Sequence, residues 1–153
     1  MNPEYYMGEA LKQAKKAFDK GEVPVGSVLV YQGNIIARSH NLVETSLDAT
    51  MHAEMQCLRE GARVFQNWRL LNCTLYTTLE PCAMCGGALI LSRVEKVVYG
   101  AQDLRHGSCG GWSNFLNEKH PIHTVLIEGG VLAEESKELL KTFFKQQREK
   151  KRI

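Results

Sequence analysis

Two short stretches constrain this chain more than any others: His52-Ala53-Glu54 and Pro81-Cys82-Ala83-Met84-Cys85, about 30 residues apart. Together they offer three metal-ligating side chains and one carboxylate. Pro81 suits the first turn of a helix. Cys82 and Cys85, three residues apart, then share one face of it. The positive end of that helix favours thiolates. His52 and Glu54 sit about 200° apart on an ideal helix, so they converge only if a second helix starts there with the metal over its end. Two thiolates and a neutral imidazole suit one Zn²⁺ per chain. A closed structural site takes four such ligands, whereas three leave a position for water. Zinc lowers the pKa of that water from about 15.7 towards about 7. Cys57 lies about 140° beyond His52 on the same helix and should point elsewhere. Cys73 and Cys109 stay open as further ligands, although small buried thiols are common.

The rest of the chain supplies a frame. Residues 3–20 carry Met7, Ala10, Leu11, Ala14 and Phe18 on one helical face, and Gly21 follows as a stop. Val25–Tyr31 and Ile35–Ser39 read as a hairpin about Gln32-Gly33-Asn34, with Pro24 and Gly26 as turn residues before it. Residues 42–49 are polar and irregular. A helix is expected from about Met51 to Val64, capped by Asp48 or Thr50. A strand at Cys73–Thr78, the helix through Leu91 and a strand at Lys96–Tyr99 follow. Residues 100–123 form a long segment rich in Gly and polar residues, of the kind that carries function. A strand at Thr124–Ile127 precedes a last helix, Val131–Arg148, whose apolar stripe is Leu132, Leu139, Leu140, Phe143 and Phe144. Strand and helix alternate, which predicts an α/β sandwich with helices on both faces.

With 153 residues, residues 1–153 fit one domain. No run approaches the roughly 18 apolar residues of a membrane span. Met1–Lys20 is charged and has no apolar signal core, so the expected location is cytoplasmic. Five cysteines, two of them in C-x-x-C, favour metal chemistry over a disulfide framework. The net charge of +2 is unevenly spread. Residues 137–153 hold seven basic side chains (Lys137, Lys141, Lys145, Arg148, Lys150, Lys151, Arg152) against Glu138 and Glu149, a tail of +5 on a body of −3. Such a tail suits a polyanionic partner or a solvated helix end.

The two motifs together resemble the signature of zinc nucleobase deaminases, in which the glutamate moves protons and does not bind metal. More narrowly, the chain resembles the tRNA adenosine deaminase family, which converts anticodon wobble adenosine to inosine. The matching stretches are EVPVGSVLV (22–30), His40-Asn41, DATMHAEM (48–55), TLYTTLEPCAMCGGALILSRVEKVVYGAQD (74–103) and EGGVLAEES (128–136). H-A-E with P-C-x-x-C marks only the wider cytidine-deaminase-like superfamily; VPVG, His-Asn and YGAxD narrow it. The resemblance implies a three-layer α/β/α sandwich around a five-stranded mixed sheet, and the homodimer of bacterial members. It implies His52, Cys82 and Cys85 as zinc ligands, Glu54 as proton shuttle and Asn41 as a contact to the purine. It places Asp103 and Arg105 in the loop that meets an anticodon stem-loop. Zinc-bound hydroxide is then the nucleophile, and ammonia leaves. His106 and Ser108-Cys109 stand where many bacterial members have smaller, plainer residues, and Trp112 and Phe115 add aromatics nearby.

Two other readings use the same motifs. A free-base deaminase acting on guanine or cytosine shares the zinc site without needing a basic tail. A noncatalytic RNA-binding subunit keeps a structural zinc, but loss of the glutamate marks such subunits, and Glu54 is present.

Overall fold

β1 (Gly26–Tyr31) and β2 (Asn34–His40) form the expected hairpin, joined by Gln32 and Gly33. Both have positive φ, 49° and 79°, the geometry that matches a two-residue turn to strand twist. The computed structural model describes residues 2–151; Arg152 of the basic tail and Ile153 lie outside the described residues. β3 (Cys73–Leu79), β4 (Lys96–Ala101) and β5 (Leu126–Glu128) complete a five-stranded sheet in the order β2-β1-β3-β4-β5. β1 is antiparallel to β2 and β3, while β3, β4 and β5 run parallel, so the sheet is mixed as expected. β4 runs two residues further than the expected strand. β5 is shifted later, because only Leu126, Ile127 and Glu128 find partners on β4.

Alternate strand residues face opposite layers. Val28 and Val30 of β1 pack with Met7 and Ala10 of α1 (Pro3–Asp19). Leu29 faces the other way, into a cluster with Leu58 of α3 (Ala53–Phe65) and Leu89 of α4 (Ala83–Leu91). α5 (Ala133–Lys151) returns to the side of α1, where Phe143 meets Phe18 edge to face at 5.7 Å. These are the three layers of the expected α/β/α sandwich. Gly26 is packing rather than turn chemistry: a Cβ there would collide with the backbone of Ala10 and Ala14 in α1.

Three expectations need correction. Neither Asp48 nor Thr50 caps α3. Asp48 instead accepts from the amide and hydroxyl of Thr50, at 2.8 and 2.7 Å, closing a turn two residues early. α3 starts at Ala53 with His52 as its extended N-cap, and the imidazole makes no capping bond. Likewise α4 starts at Ala83 with Cys82 as N-cap, so Pro81 precedes the helix rather than opening it. In α5 only Phe143 of the expected stripe is fully buried; Leu139 and Leu140 are half-buried and Phe144 is 45% exposed. The polar stretch 42–49 also contains a short helix, α2 (Val43–Ser46). No helix among the described residues is long and apolar enough to cross a membrane.

Candidate active site

The starts of α3 and α4 lie side by side, and their N-cap side chains face each other instead of their own amides. His52 Nδ1 lies 3.6 Å from Cys82 Sγ and 3.5 Å from Cys85 Sγ. Zinc bonds of about 2.0 Å to nitrogen and about 2.3 Å to sulfur, at a tetrahedral angle, separate the two donors by about 3.6 Å. The residues present therefore fit a zinc ion. Among the described residues, His52, Cys82 and Cys85 form the one group of donors close enough to hold a metal, all within 4.8 Å of one another. The electrostatics match. Hydrogen bonding from Cys85, with help from His52, holds the Cys82 thiol down at about 4. Its bond to Cys82 raises His52 and pushes Cys85 the same way. These groups compete for protons that a dication would displace.

Glu54 stands outside the donor triangle, one residue into α3 and only 4% exposed. Burial pushes its carboxyl up to about 7. Cys57 points away, as its spacing predicts, and its sulfur lies 3.0 Å from the Ser39 hydroxyl. Burial raises Cys57 to about 12, Cys73 to about 11 and Cys109 to about 12, so all three are neutral packing thiols.

His52, Glu54 and Cys82 lie on the floor of a cleft of about 930 Å³. Asn41, at the end of β2, lines one wall. Its Nδ2 donates to the Val23 carbonyl and its Oδ1 accepts from the Val43 amide, both at 3.2 Å. The opposite wall is the segment 102–106. Asp103 Oδ1 accepts from the backbone amides of Arg105 (3.0 Å) and His106 (3.2 Å), so it shapes the loop instead of pairing with the Arg105 guanidinium. Leu104, Arg105 and His106 are exposed on the rim. The end of α5 forms a third wall through Leu140, Phe144, Gln147, Arg148 and Lys151. Two basic tail residues thus reach the cleft, while Lys137 lies 3.5 Å from Glu134 on the same helix. Of the residues that depart from the family pattern, Ser108 and Cys109 are buried within the loop, His106 is on the rim and Trp112 nearby is 67% exposed.

Two buried carboxylates on this cleft do not stand out in the sequence. Glu22 accepts from the amides of Glu44 (3.0 Å) and Thr45 (2.6 Å) and so holds α2 against the wall. Glu80 accepts from three loop amides. The only signal for Glu80 is a carboxylate wedged between an apolar strand and Pro81.

Comparison with known proteins places the chain. Residues 1–101 match the profile of the cytidine and deoxycytidylate deaminase zinc-binding region. The tRNA-specific adenosine deaminase of Bacillus subtilis is 52% identical over 149 residues, covering 97% of this chain and 92% of that protein. A solved structure from a study of A-to-I editing by tRNA deaminases at the wobble position superposes with a TM-score of 0.83 at 37% identity, covering 89% of this chain and 99% of that one. Guanine deaminase from Bacillus subtilis is more distant, with a TM-score of 0.65 at 32% identity over 82% of this chain and 83% of that one. The zinc-site geometry and the near-complete alignment agree: the chain belongs to the tRNA-specific adenosine deaminase family of zinc-dependent deaminases.

Proposed function

We propose that this chain hydrolyses adenosine to inosine at the anticodon wobble position of tRNA, with residues 1–153 acting as one deaminase domain. The reading is carried by the 52% identity that spans nearly all of both chains. His52, Cys82 and Cys85 would hold one zinc ion, which supplies a water activated for attack at neutral pH. Glu54 would take one proton of that water and pass it to the purine ring nitrogen as the oxygen bonds to C6, then pass the remaining hydroxyl proton to the amine, so that the C6–N bond breaks and ammonia leaves. Its burial suits that role, since a carboxyl raised towards neutrality can both accept and release a proton. Asn41 spends one N–H and one lone pair on Val23 and Val43, which leaves one of each for a purine edge.

The rim serves the rest of the RNA. An anticodon loop presents unpaired bases, so delivering one to a buried floor costs little. Arg105, Arg148 and Lys151 offer salt-dependent phosphate contacts beside that floor. Asp103 holds Arg105 and His106 in place through their amides. We further propose a homodimer in the cytoplasm, the arrangement that the resemblance to bacterial members of the family suggests.

The deciding assay offers an anticodon stem-loop with adenosine at the wobble position, the same loop with cytidine there, and free guanine and cytosine. Inosine and ammonia from the first substrate alone support the reading. Comparable turnover of free guanine would move the chain to the free-base deaminases. Zinc per chain and sedimentation measured on the same sample test the metal and the dimer.

A further inference from the structure

We propose that Glu80 is a positioning residue that ties the RNA-side wall of the cleft to the zinc-bearing segment. This rests on the RNA-deaminase reading given above. Glu80 lies two residues before Cys82 and is 2% exposed. Its partners are backbone amides. Oε1 accepts from the Asp103 amide at 2.9 Å, and Oε2 accepts from the amides of Cys109 (2.7 Å) and Gly111 (3.0 Å). One carboxylate thereby gathers both ends of the loop that carries Leu104, Arg105 and His106 into the cleft.

The loop is shaped to receive it. A Cβ at Gly107 would run into the Glu80 carboxylate, and one at Gly111 would come within 2.6 Å of Oε1. The loop is then stitched to the neighbouring residues. The Ser108 amide and hydroxyl donate to the Pro81 carbonyl at 2.9 and 2.8 Å, and Cys82 forms an isolated bridge with Gly107. Residues 80–82 thus face two ways: Cys82 turns towards the metal, and Glu80 turns towards the loop. Three backbone amides bonded to one buried side chain leave the loop little freedom. The distance between rim and reacting centre is therefore set by residues 80–82, and not by loop stiffness.

Glu80→Gln tests this on the zinc-loaded protein. A glutamine oxygen can keep the Cys109 and Gly111 amides, but its NH₂ then faces the Asp103 amide. Zinc content should stay at the wild-type value. KM for the stem-loop should rise about tenfold and kcat should fall much less, because displacing a positioning group by a fraction of an ångström is costly. Glu80→Ala should be worse than Glu80→Gln in the same direction. Gly107→Ala should reproduce the KM effect from the loop side. Amide exchange should accelerate at Asp103 in Glu80→Gln, and at Asp103, Cys109 and Gly111 in Glu80→Ala, with α1 unchanged. Unchanged KM and unchanged exchange at those amides would overturn the proposal. So would uniformly faster exchange with KM intact, which marks a residue that only stabilises the fold. Should the wild type fail to deaminate the stem-loop, the RNA reading falls, and the exchange pattern still decides whether Glu80 holds the loop.

Discussion

The floor and the rim of the cleft are built by opposite means. On the floor, backbone sets the geometry. Two helix starts, each with an extended N-cap residue that leaves its own amides uncapped, bring His52, Cys82 and Cys85 to metal-binding distance. On the rim, side chains such as Leu104, 72% exposed, and Phe144 stand in solvent on a loop and a helix end. Metal chemistry tolerates errors of only a few tenths of an ångström. Contacts between phosphates and exposed charges such as Arg148 and Lys151 act at longer range than metal bonds. The molecule places its rigid elements where the tolerance is smallest.

The sharpest way to break this contrast is to remove a donor from the floor. Cys82→Ser or Cys85→Ser should lose zinc and all measurable deamination, while RNA binding falls by far less. Metal analysis and a binding titration on the same preparations read both. If either variant keeps stoichiometric zinc, the three-donor site is wrong. Glu54→Ala should act next most strongly. It should keep zinc and lower single-turnover deamination by about 10²–10⁴-fold, the usual contribution of a proton-transfer group. Zinc loss in this variant would make Glu54 a ligand and erase the distinction between donor and shuttle.

The same contrast governs what is legible in the sequence. α1 and the hairpin follow from helical spacing and from strand alternation, because both bury a regular face. The convergence of His52 with the two cysteines is legible only through the paired motifs and the family they resemble, since spacing places just the two sulfurs together. The helix starts are not legible, since the preference for Ser, Thr, Asp or Asn at an N-cap misleads where His52 and Cys82 occupy that position. Glu22 and Glu80 are illegible for another reason. Their partners are backbone amides of Glu44, Thr45, Asp103, Cys109 and Gly111, and an amide far along the chain leaves no trace in residue type. The stripe on α5 overstates the core because Leu140 and Phe144 line a cleft instead. Apolar spacing does not separate the two.

Charge on the rim should produce a smaller effect than loss of a donor or of Glu54. Arg148→Ala combined with Lys151→Ala should weaken stem-loop binding and flatten its dependence on salt. The log–log slope should change by about 0.7 for each single-strand phosphate that is no longer neutralised. Turnover at saturating RNA should stay near wild type. Lys137→Ala is the control: its ammonium lies beside Glu134 and does not line the cleft, so its slope should not move. Equal flattening by both variants would show that net charge acts, and not the placement of Arg148 and Lys151.

Cys57→Ser should have the smallest effect and marks the edge of the floor. Cys57 lies on α3, four residues after Ala53, and is fully buried. Its sulfur meets the Ser39 hydroxyl at 3.0 Å, and its thiol, raised to about 12 by burial, stays neutral. Serine keeps a partner for Ser39 but is smaller and places a hydroxyl among Leu29, Leu58 and Leu75. The expected cost is about 1 kcal/mol in unfolding free energy, from poorer packing and the added polar atom. Zinc content and deamination per folded chain should be unchanged. Denaturant titration with metal analysis reads both quantities. If Cys57→Ser strips the metal, the floor is a closed four-ligand site with no position for water, and the deaminase chemistry fails with it.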